Sequence, residues 1–240
     1  MDTLEVNGIS KNFEGVQALQ NVSFSIQNGE IFGLIGPNGS GKTTLINVIT
    51  GLLPPTAGSV TIAGHNASHI PPYKVTRLGL ARTFQSIRLF KDLTVYENVE
   101  VGYVGIGGKR KEAQQRSEQL LSEIGLIDLK DQLARELNFA HQRRLEIARA
   151  LCSKPKFLFL DEPAAGMNET ETKSLLEYLK TLPATKNLGV LVVDHDMSLI
   201  MNLCHRIHVL NNGTTIAEGS PEEIRHNPQV IEAYLGDTHE

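Results

Sequence analysis

A glycine-rich segment constrains the fold of this chain more than any other part of its sequence. Residues 36–44 fit the pattern G-x-x-x-x-G-K-[ST]. The apolar run Ile31–Ile35 precedes this segment as a short strand, and Thr44–Ile49 follows it as the opening of a helix. A strand, a glycine loop and a helix N-terminus form an anion cradle, because backbone N–H groups and the helix dipole both favour negative charge. The sequence therefore predicts a site for a nucleoside triphosphate.

The residues of this phosphate loop have distinct expected roles. The Lys42 ammonium is placed to reach the β- and γ-phosphates, and the Thr43 hydroxyl is a ligand for Mg²⁺. The predicted nucleotide-binding residues of the loop are Gly36, Pro37, Asn38, Gly39, Ser40, Gly41, Lys42, Thr43 and Thr44.

The length and net charge of the chain limit its domain organisation and its partners. A chain of 240 residues is long enough for one large α/β domain, or for a core with an inserted subdomain. Its net charge of −4 argues against nucleic acid as the main partner. No apolar run approaches the length of a membrane span, and Asp2 and Glu5 stand where a signal peptide needs basic and apolar residues. We expect a cytosolic protein, unless another protein holds it at a membrane.

Strand-like and helix-like patterns follow one another along the chain. Leu4–Val6 and Val22–Ile26 alternate as half-buried strands do, and Ser59–Ile62 and Gly79–Phe84 are further strand candidates. From about residue 95 the sequence becomes polar, charged and helical in period, with a glycine-rich loop at residues 102–108. After residue 154, buried strands alternate with helices, which implies a parallel sheet; these strands are predicted at 157–160, 190–193 and 207–210. The pattern predicts an α/β nucleotide-binding core interrupted by a helical insert.

Two adjacent carboxylates, Asp161 and Glu162, end the apolar run Phe157–Leu160. Ligands of parallel sheets bind at the carboxyl ends of the strands, so both side chains are expected near the phosphates. Phosphoryl transfer needs one carboxylate for the metal and a second one to orient or deprotonate the attacking water. We assign Asp161 to Mg²⁺ and Glu162 to the water. Without a phosphate loop in the same chain, such a pair would more often cap the following helix.

Three other side chains are candidates for the same site. His195 follows an apolar strand and is placed to donate a hydrogen bond to the γ-phosphate, although a surface histidine would leave the same local pattern. Gln85 is a candidate contact for Mg²⁺ or for the attacking water. Phe13 is either a ring on which adenine stacks or a core residue.

The order of these features resembles that of the ATP-binding cassette (ABC) family of transporter ATPases, over essentially the whole chain. Within the family, the ATPase subunits of branched-chain amino acid importers are the most similar, and those of lipopolysaccharide exporters and urea importers remain alternatives. The segments that carry this closer resemblance are Arg82–Gln85, Arg88–Phe90, Gln142–Arg149, Pro163–Asn168, His195–Met197, Pro221–Arg225 and Ala233–Gly236.

This resemblance implies an architecture. The expected fold is an α/β P-loop NTPase core with an N-terminal antiparallel β subdomain and an inserted α-helical subdomain. The β subdomain, the phosphate loop and the loop that carries Gln85 would occupy residues 1–92. The helical signature subdomain would occupy residues 93–153, and the rest of the core residues 154–240.

The resemblance also implies an activity and a setting. The chain would hydrolyse ATP with Mg²⁺ as a cytoplasmic subunit, peripheral on the inner face of the cell membrane. Its partners would be two transmembrane permease subunits and a second ABC ATPase subunit, with a substrate-binding protein acting indirectly and no nucleic acid. A soluble ABC ATPase of DNA repair or of the ribosome is less favoured, because this chain has one cassette, a short insert and a negative charge.

One segment departs from the family pattern. The family signature is usually Leu-Ser-Gly-Gly-Gln, and residues 137–141 here read Leu-Asn-Phe-Ala-His. In the family this segment contacts the γ-phosphate of ATP held by the other subunit, so the resemblance makes Asn138, Ala140 and His141 nucleotide contacts. Asn138 retains a donor, whereas Ala140 adds a Cβ where close backbone approach is wanted. We expect a weakened contact in trans and, in a heterodimer, a slower site on the partner's phosphate loop.

Overall fold

The computed structural model describes residues 2–235; Met1 and residues 236–240, which include Gly236 of the tail resemblance, lie outside the described part. The strands are β1 (Thr3–Phe13), β2 (Val16–Gln27), β3 (Ile31–Ile35), β4 (Ala57–Ile62), β5 (His65–Asn66), β6 (Leu80–Arg82), β7 (Phe157–Asp161), β8 (Gly189–Val193), β9 (Arg206–Asn211) and β10 (Thr214–Gly219). The helices are α1 (Lys42–Ile49), α2 (Pro72–Arg77), α3 (Val95–Val104), α4 (Arg110–Glu123), α5 (Phe139–Cys152), α6 (Glu169–Lys186), α7 (Met197–Leu203), α8 (Pro221–Arg225) and α9 (Pro228–Leu235). Short 3₁₀ turns at Ile127–Leu129 and Ala134–Glu136 connect α4 to α5.

These strands form two sheets in the described part of the chain. An antiparallel sheet has the order β2-β1-β4-β5, and a six-stranded sheet has the order β10-β9-β3-β8-β7-β6. In the second sheet β9, β3, β8, β7 and β6 are parallel, and only β10 pairs antiparallel. The alternation of strands and helices therefore produced the parallel core that the sequence predicts.

Strand β10 was not among the strands that the sequence predicts. This strand forms a hairpin with β9 through Asn212 and Gly213, which both adopt positive φ angles, 46° and 75°. Asn-Gly pairs favour tight hairpin turns because both residues tolerate this conformation. That pair was the available signal for the extra strand.

The six-stranded sheet separates two hydrophobic clusters. Phe32 and Leu34 of β3 face a cluster that includes the antiparallel sheet and α1. Ile31 and Ile35 face the other cluster, which includes the helices of the insert and α6 and α7. Side chains of a strand alternate between its two faces, so a strand covered on both sides reads as a continuous apolar run.

The helical insert begins and packs for identifiable reasons. Thr94 accepts a hydrogen bond from the Glu97 amide and forms a capping box at the start of α3. Gly102, expected in a loop, instead lies inside α3. A Cβ at this position would lie 2.2 Å from the carbonyl oxygen of Arg149, so glycine allows α3 to pack closely against α5.

Among residues 2–235, no helix combines the length and the apolar character needed to cross a bilayer.

Candidate nucleotide-binding site

The phosphate loop joins β3 directly to α1, as predicted. Gly36, Gly39 and Gly41 all adopt positive φ angles. A Cβ on Gly36 would lie 2.1 Å from the carbonyl oxygen of Leu210, so no side chain fits there. A Cβ on Gly39 would meet nothing within 4 Å, which leaves open space beside that backbone. The loop thus has the shape of a cradle that a polyphosphate can approach closely.

The Lys42 side chain folds over this loop. Its Nζ donates to the carbonyl oxygens of Gly36 at 2.7 Å and Pro37 at 2.8 Å. Burial lowers the pKa of Lys42, and the negative charges of Glu162 and Asp161 partly oppose that effect. An ammonium held this way by neutral carbonyls can exchange them for charged phosphate oxygens, which are stronger acceptors.

The ends of three parallel strands lie side by side at this edge of the sheet. Leu34 of β3 is in register with Val193 of β8, and Val193 is in register with Asp161 of β7. This pairing brings the phosphate loop, the two carboxylates and His195 to one edge, although they are distant in sequence. Only the order of the strands could place them together.

Glu162 lies between two of the other predicted residues. Its backbone has a φ of +48°, and its N–H donates to the carbonyl oxygen of Val193 at 2.8 Å. The Gln85 amide Nε2 donates to Glu162 Oε2 at 3.2 Å, and His195 Nδ1 lies 3.7 Å from Oε1. The His195 side chain is 77% exposed, so it remains accessible to a ligand.

Asp161 has a cation as its neighbour. Arg82 Nη2 donates to Asp161 Oδ2 at 3.0 Å, and Arg82 Nη1 donates to Asn47 Oδ1 at 2.6 Å. Neither Arg82 nor Asn47 was predicted from the sequence to have a role in the site. A signal for Arg82 was present, since it is the one charged residue of the short strand β6.

The oxygen donors at this edge fit Mg²⁺. Thr43, Gln85 and Asp161 line a cavity of about 540 Å³. A hydroxyl, an amide oxygen and a carboxylate are hard donors, the kind that Mg²⁺ prefers. Within the described residues no group of three or more His, Cys, Asp or Glu side chains could hold a metal. Mg²⁺ commonly binds through one or two carboxylates together with substrate phosphates, and this sparse donor set suits that mode.

A buried carboxyl accompanies His195. Asp194 Oδ1 accepts the Asp196 amide at 3.0 Å and lies 3.7 Å from His195 Nδ1. Burial raises the pKa of Asp194, whereas the Asp196 hydrogen bond and the His195 charge act in the opposite direction. Asp194 therefore places a carboxylate near His195, at a distance too long for a hydrogen bond.

The signature segment forms the start of α5. Asn138 Oδ1 accepts the His141 amide at 2.8 Å, and its Nδ2 group, the only donor of the side chain, remains available to a ligand. Ala140 is buried, and the ring of Phe139 packs near Gly166. No hydrogen bond among residues 2–235 joins Asn138, Ala140 or His141 to the phosphate loop. The contacts within this chain thus leave the segment separate from its own phosphate loop.

Phe13 lies at the end of β1 and is 42% exposed. It belongs to neither hydrophobic cluster, so the core alternative is wrong. Lys11 Nζ lies 5.0 Å from the centre of the ring. Its accessibility is compatible with a stacking role, which stays a prediction.

Two family profiles match the sequence. One describes the ABC transporter and covers residues 19–165. The other describes the branched-chain amino acid ATP-binding cassette transporter and covers residues 214–240.

Curated proteins resemble the chain over nearly its whole length. The high-affinity branched-chain amino acid transport ATP-binding protein LivG of Salmonella typhimurium is 43% identical, with 98% of each chain covered. The lipopolysaccharide export system ATP-binding protein LptB of Escherichia coli is 34% identical, over 99% of this chain and 98% of that one.

Solved structures have the same fold. The ADP conformation of MJ1267, an ATP-binding cassette of an ABC transporter, is 32% identical with a TM-score of 0.87, covering 98% of this chain and 99% of the other. The dimeric structure of MJ0796, a bacterial ABC transporter cassette, is 27% identical with a TM-score of 0.81, covering 91% and 98%. These similarities confirm the predicted fold, a P-loop core with an antiparallel β part and a helical insert.

Proposed function

Because the chain belongs to the ABC transporter family, we propose that it is the ATP-hydrolysing subunit of an importer of branched-chain or related amino acids. The activity is that of an ATPase, as the family implies. The cargo is supported by the 43% identity with LivG, against 34% with LptB, and by the matching C-terminal profile. Lipopolysaccharide export and urea or amide import are the alternatives, and a soluble ABC ATPase is a more distant one.

The observation that carries the catalytic proposal is the position of Glu162. Its carboxylate contacts Gln85 and lies near His195, at the sheet edge that bears the phosphate loop. In this arrangement Lys42 binds the β- and γ-phosphates and Glu162 orients or deprotonates the attacking water. Gln85 helps to place that water, and His195 donates a hydrogen bond to the γ-phosphate.

Mg²⁺ would be held by Thr43 and Asp161, with Gln85 as a third contact. When bound, it neutralises charge that develops on the phosphates. The side chains of the protein orient the attacking water toward the γ-phosphate.

The transport role requires partners. We propose that ATP joins this chain to a second cassette subunit by bridging a phosphate loop and a signature segment, and that hydrolysis releases them. The dimeric form of MJ0796 supports association of cassettes. One of the two permease subunits would bind this chain at the surface formed by Gln85 and Ser86–Phe90, where Phe90 is 51% exposed. The subunit would then lie on the inner face of the membrane, with a substrate-binding protein acting on the permeases.

Uptake into vesicles tests the cargo and the catalytic site together. The assembled transporter would be measured with labelled isoleucine, leucine and urea, using wild-type protein, Glu162→Gln and the control Glu118→Gln. Glu118 is exposed on α4 and forms no ion pair among the described residues. ATP-dependent uptake of leucine or isoleucine, lost only in Glu162→Gln, is the expected result. Uptake of urea alone would favour the alternative importer.

A further inference from the structure

A buried arginine on α5 is used by none of the roles described above. Arg143 lies five residues beyond Asn138, and its side chain is fully buried. It pairs with Glu146, one turn later on the helix, at 2.8 Å, and the Glu146 side chain is only 1% exposed. Charged side chains are almost never buried completely, because desolvation offsets much of what the ion pair contributes. Stabilisation of the fold is therefore a weak explanation for this pair.

The contacts of the pair lead to the segment that carries Gln85. Arg143 Nη1 donates to the carbonyl oxygen of Phe84 at 2.7 Å, and Nη2 donates to that of Gln85 at 2.7 Å. Glu146 accepts the Arg88 amide at 3.3 Å. Helix α5 thus holds this segment, residues 83–88, through three hydrogen bonds. We call it the Gln85 segment.

The Gln85 segment connects this helix to the hydrolytic carboxylate. The side chain of Gln85, whose carbonyl Arg143 holds, donates to Glu162 at 3.2 Å. The same helix begins at the signature residue Asn138. A continuous set of polar contacts therefore runs from the signature helix through Arg143 and Gln85 to Glu162.

We propose that Arg143 is a positioning residue for ATP hydrolysis. It fixes the Gln85 side chain beside Glu162, and it couples the distance between these two side chains to the position of α5, the helix that begins at the signature. The inference rests on the proposed role of Gln85. The planar guanidinium is suited to the task, since its fixed fork of N–H groups reaches two carbonyls and a carboxylate at once. A lysine has a single donor centre and cannot reproduce this geometry.

The variant must remove the contacts without leaving a buried charge. Arg143→Gln alone would strand the Glu146 carboxylate and destabilise the fold. The paired variant Arg143→Met with Glu146→Leu removes both charges and keeps the volume close to that of the wild type. Arg144→Met is the matched control, because Arg144 is the next residue of α5 but donates to Ile124 and Ser174 instead.

Steady-state kinetics of the assembled transporter give the first measurement. We expect the paired variant to lower kcat by about tenfold or more while KM for ATP stays within about twofold, since positioning acts on the chemical step. In a Gln85→Ala background the paired variant should cause no further loss of kcat, because both changes act through one side chain. The control should behave as wild type in both backgrounds.

Amide hydrogen exchange gives a second measurement, independent of turnover. Exchange across residues 83–88 should be faster in the paired variant and unchanged in the control. Three results would overturn the inference. The first is unchanged exchange in the paired variant, and the second is a wild-type kcat in Gln85→Ala. The third is a loss of kcat in the paired variant that multiplies with the loss caused by Gln85→Ala. Failure of the proposed function is recognised differently, by wild-type hydrolysis in Glu162→Gln.

Discussion

The guanidinium of Arg82 donates to Asp161, the carboxylate that we assign to Mg²⁺, over 3.0 Å. The side chains of the two residues are only 8% and 15% exposed. Arg82 belongs to β6 and Asp161 to the adjacent strand β7, so the sheet itself holds the pair together. The guanidinium of Arg82 thus compensates the negative charge of Asp161.

Replacing Arg82 should make the protein depend more strongly on bound nucleotide. Breaking a buried pair by removing one partner typically costs about 3–5 kcal/mol, because an uncompensated charge remains. We expect Arg82→Gln to unfold at a lower temperature than wild type without ligand. Mg²⁺ and ATP should then raise its unfolding temperature by more than they raise that of wild type, because a second cation reaches Asp161.

Thermal unfolding with and without Mg²⁺ and ATP measures this effect. Arg88→Gln is a suitable control, because Arg88 stacks on the Phe84 ring at 3.9 Å but forms no ion pair with Asp161 in the described structure. Equal ligand-induced shifts in Arg82→Gln and wild type would contradict the prediction.

Glu162→Gln should bind ATP but hydrolyse it at least about 100-fold more slowly, since a positioned general base contributes about 10²–10⁴-fold. The amide keeps nearly the same shape, so the contact surface for a second subunit is preserved. We therefore expect a dimer that persists in Mg²⁺ and ATP, detectable by size-exclusion chromatography. Hydrolysis at the wild-type rate would show that another group activates the water.

Lys42→Ala should abolish tight ATP binding. A hydrogen bond from a charged group contributes about 1.5–3 kcal/mol, so loss of the ammonium should raise Kd by about tenfold or more. Titration calorimetry of ATP into the variant measures this change. Lys173→Ala, at an exposed position on α6, serves as the control and should bind as wild type does.

Three substitutions that bring the signature closer to the usual family sequence, with Phe139 kept, should accelerate the site on the partner's phosphate loop. Ala140 is buried at the start of α5, and Asn138 uses its oxygen to cap that helix. In the combined variant Asn138→Ser, Ala140→Gly and His141→Gln, the backbone can approach a phosphate more closely. We expect a several-fold rise in ATP turnover of the assembled transporter. Unchanged turnover at both sites would remove the idea of an asymmetric pair.

Asp194 should make stability depend on pH in a predictable direction. Burial raises the pKa of its carboxyl in the folded protein above the ordinary value of 3.8. The folded state therefore binds more protons than the unfolded state just above pH 3.8, and stability falls as the pH rises through that range. Asp194→Asn removes the titrating carboxyl, so the free energy of unfolding of the variant relative to wild type should increase from pH 4 to pH 7. Denaturant titrations at the two pH values test it, and a constant difference would contradict the assignment.

Local patterns in the sequence were sufficient for much of the fold. The phosphate loop was recognisable because a strand, its glycines and a helix start lie within one continuous segment, and the structure has β3, the loop and α1 in that order. Asp161, Glu162 and His195 were identifiable because each follows an apolar strand. The division at residues 93 and 153 and the individual roles of the site residues remain predictions.

Contacts between distant residues required the tertiary structure. Arg82 and Asp161 are 79 positions apart, and Gln85 and Glu162 are 77 apart. The packing role of Gly102 and the partners of Arg143 were likewise invisible in the sequence. The sequence by itself determined the phosphate loop and the buried strands of the core, since periodicity and turn residues act over a few positions; it missed β10 and placed Gly102 in a loop rather than in α3. Only the tertiary structure decided which polar side chains contact one another. The order of the strands sets which charged side chains are buried side by side, and a buried charge needs such a partner.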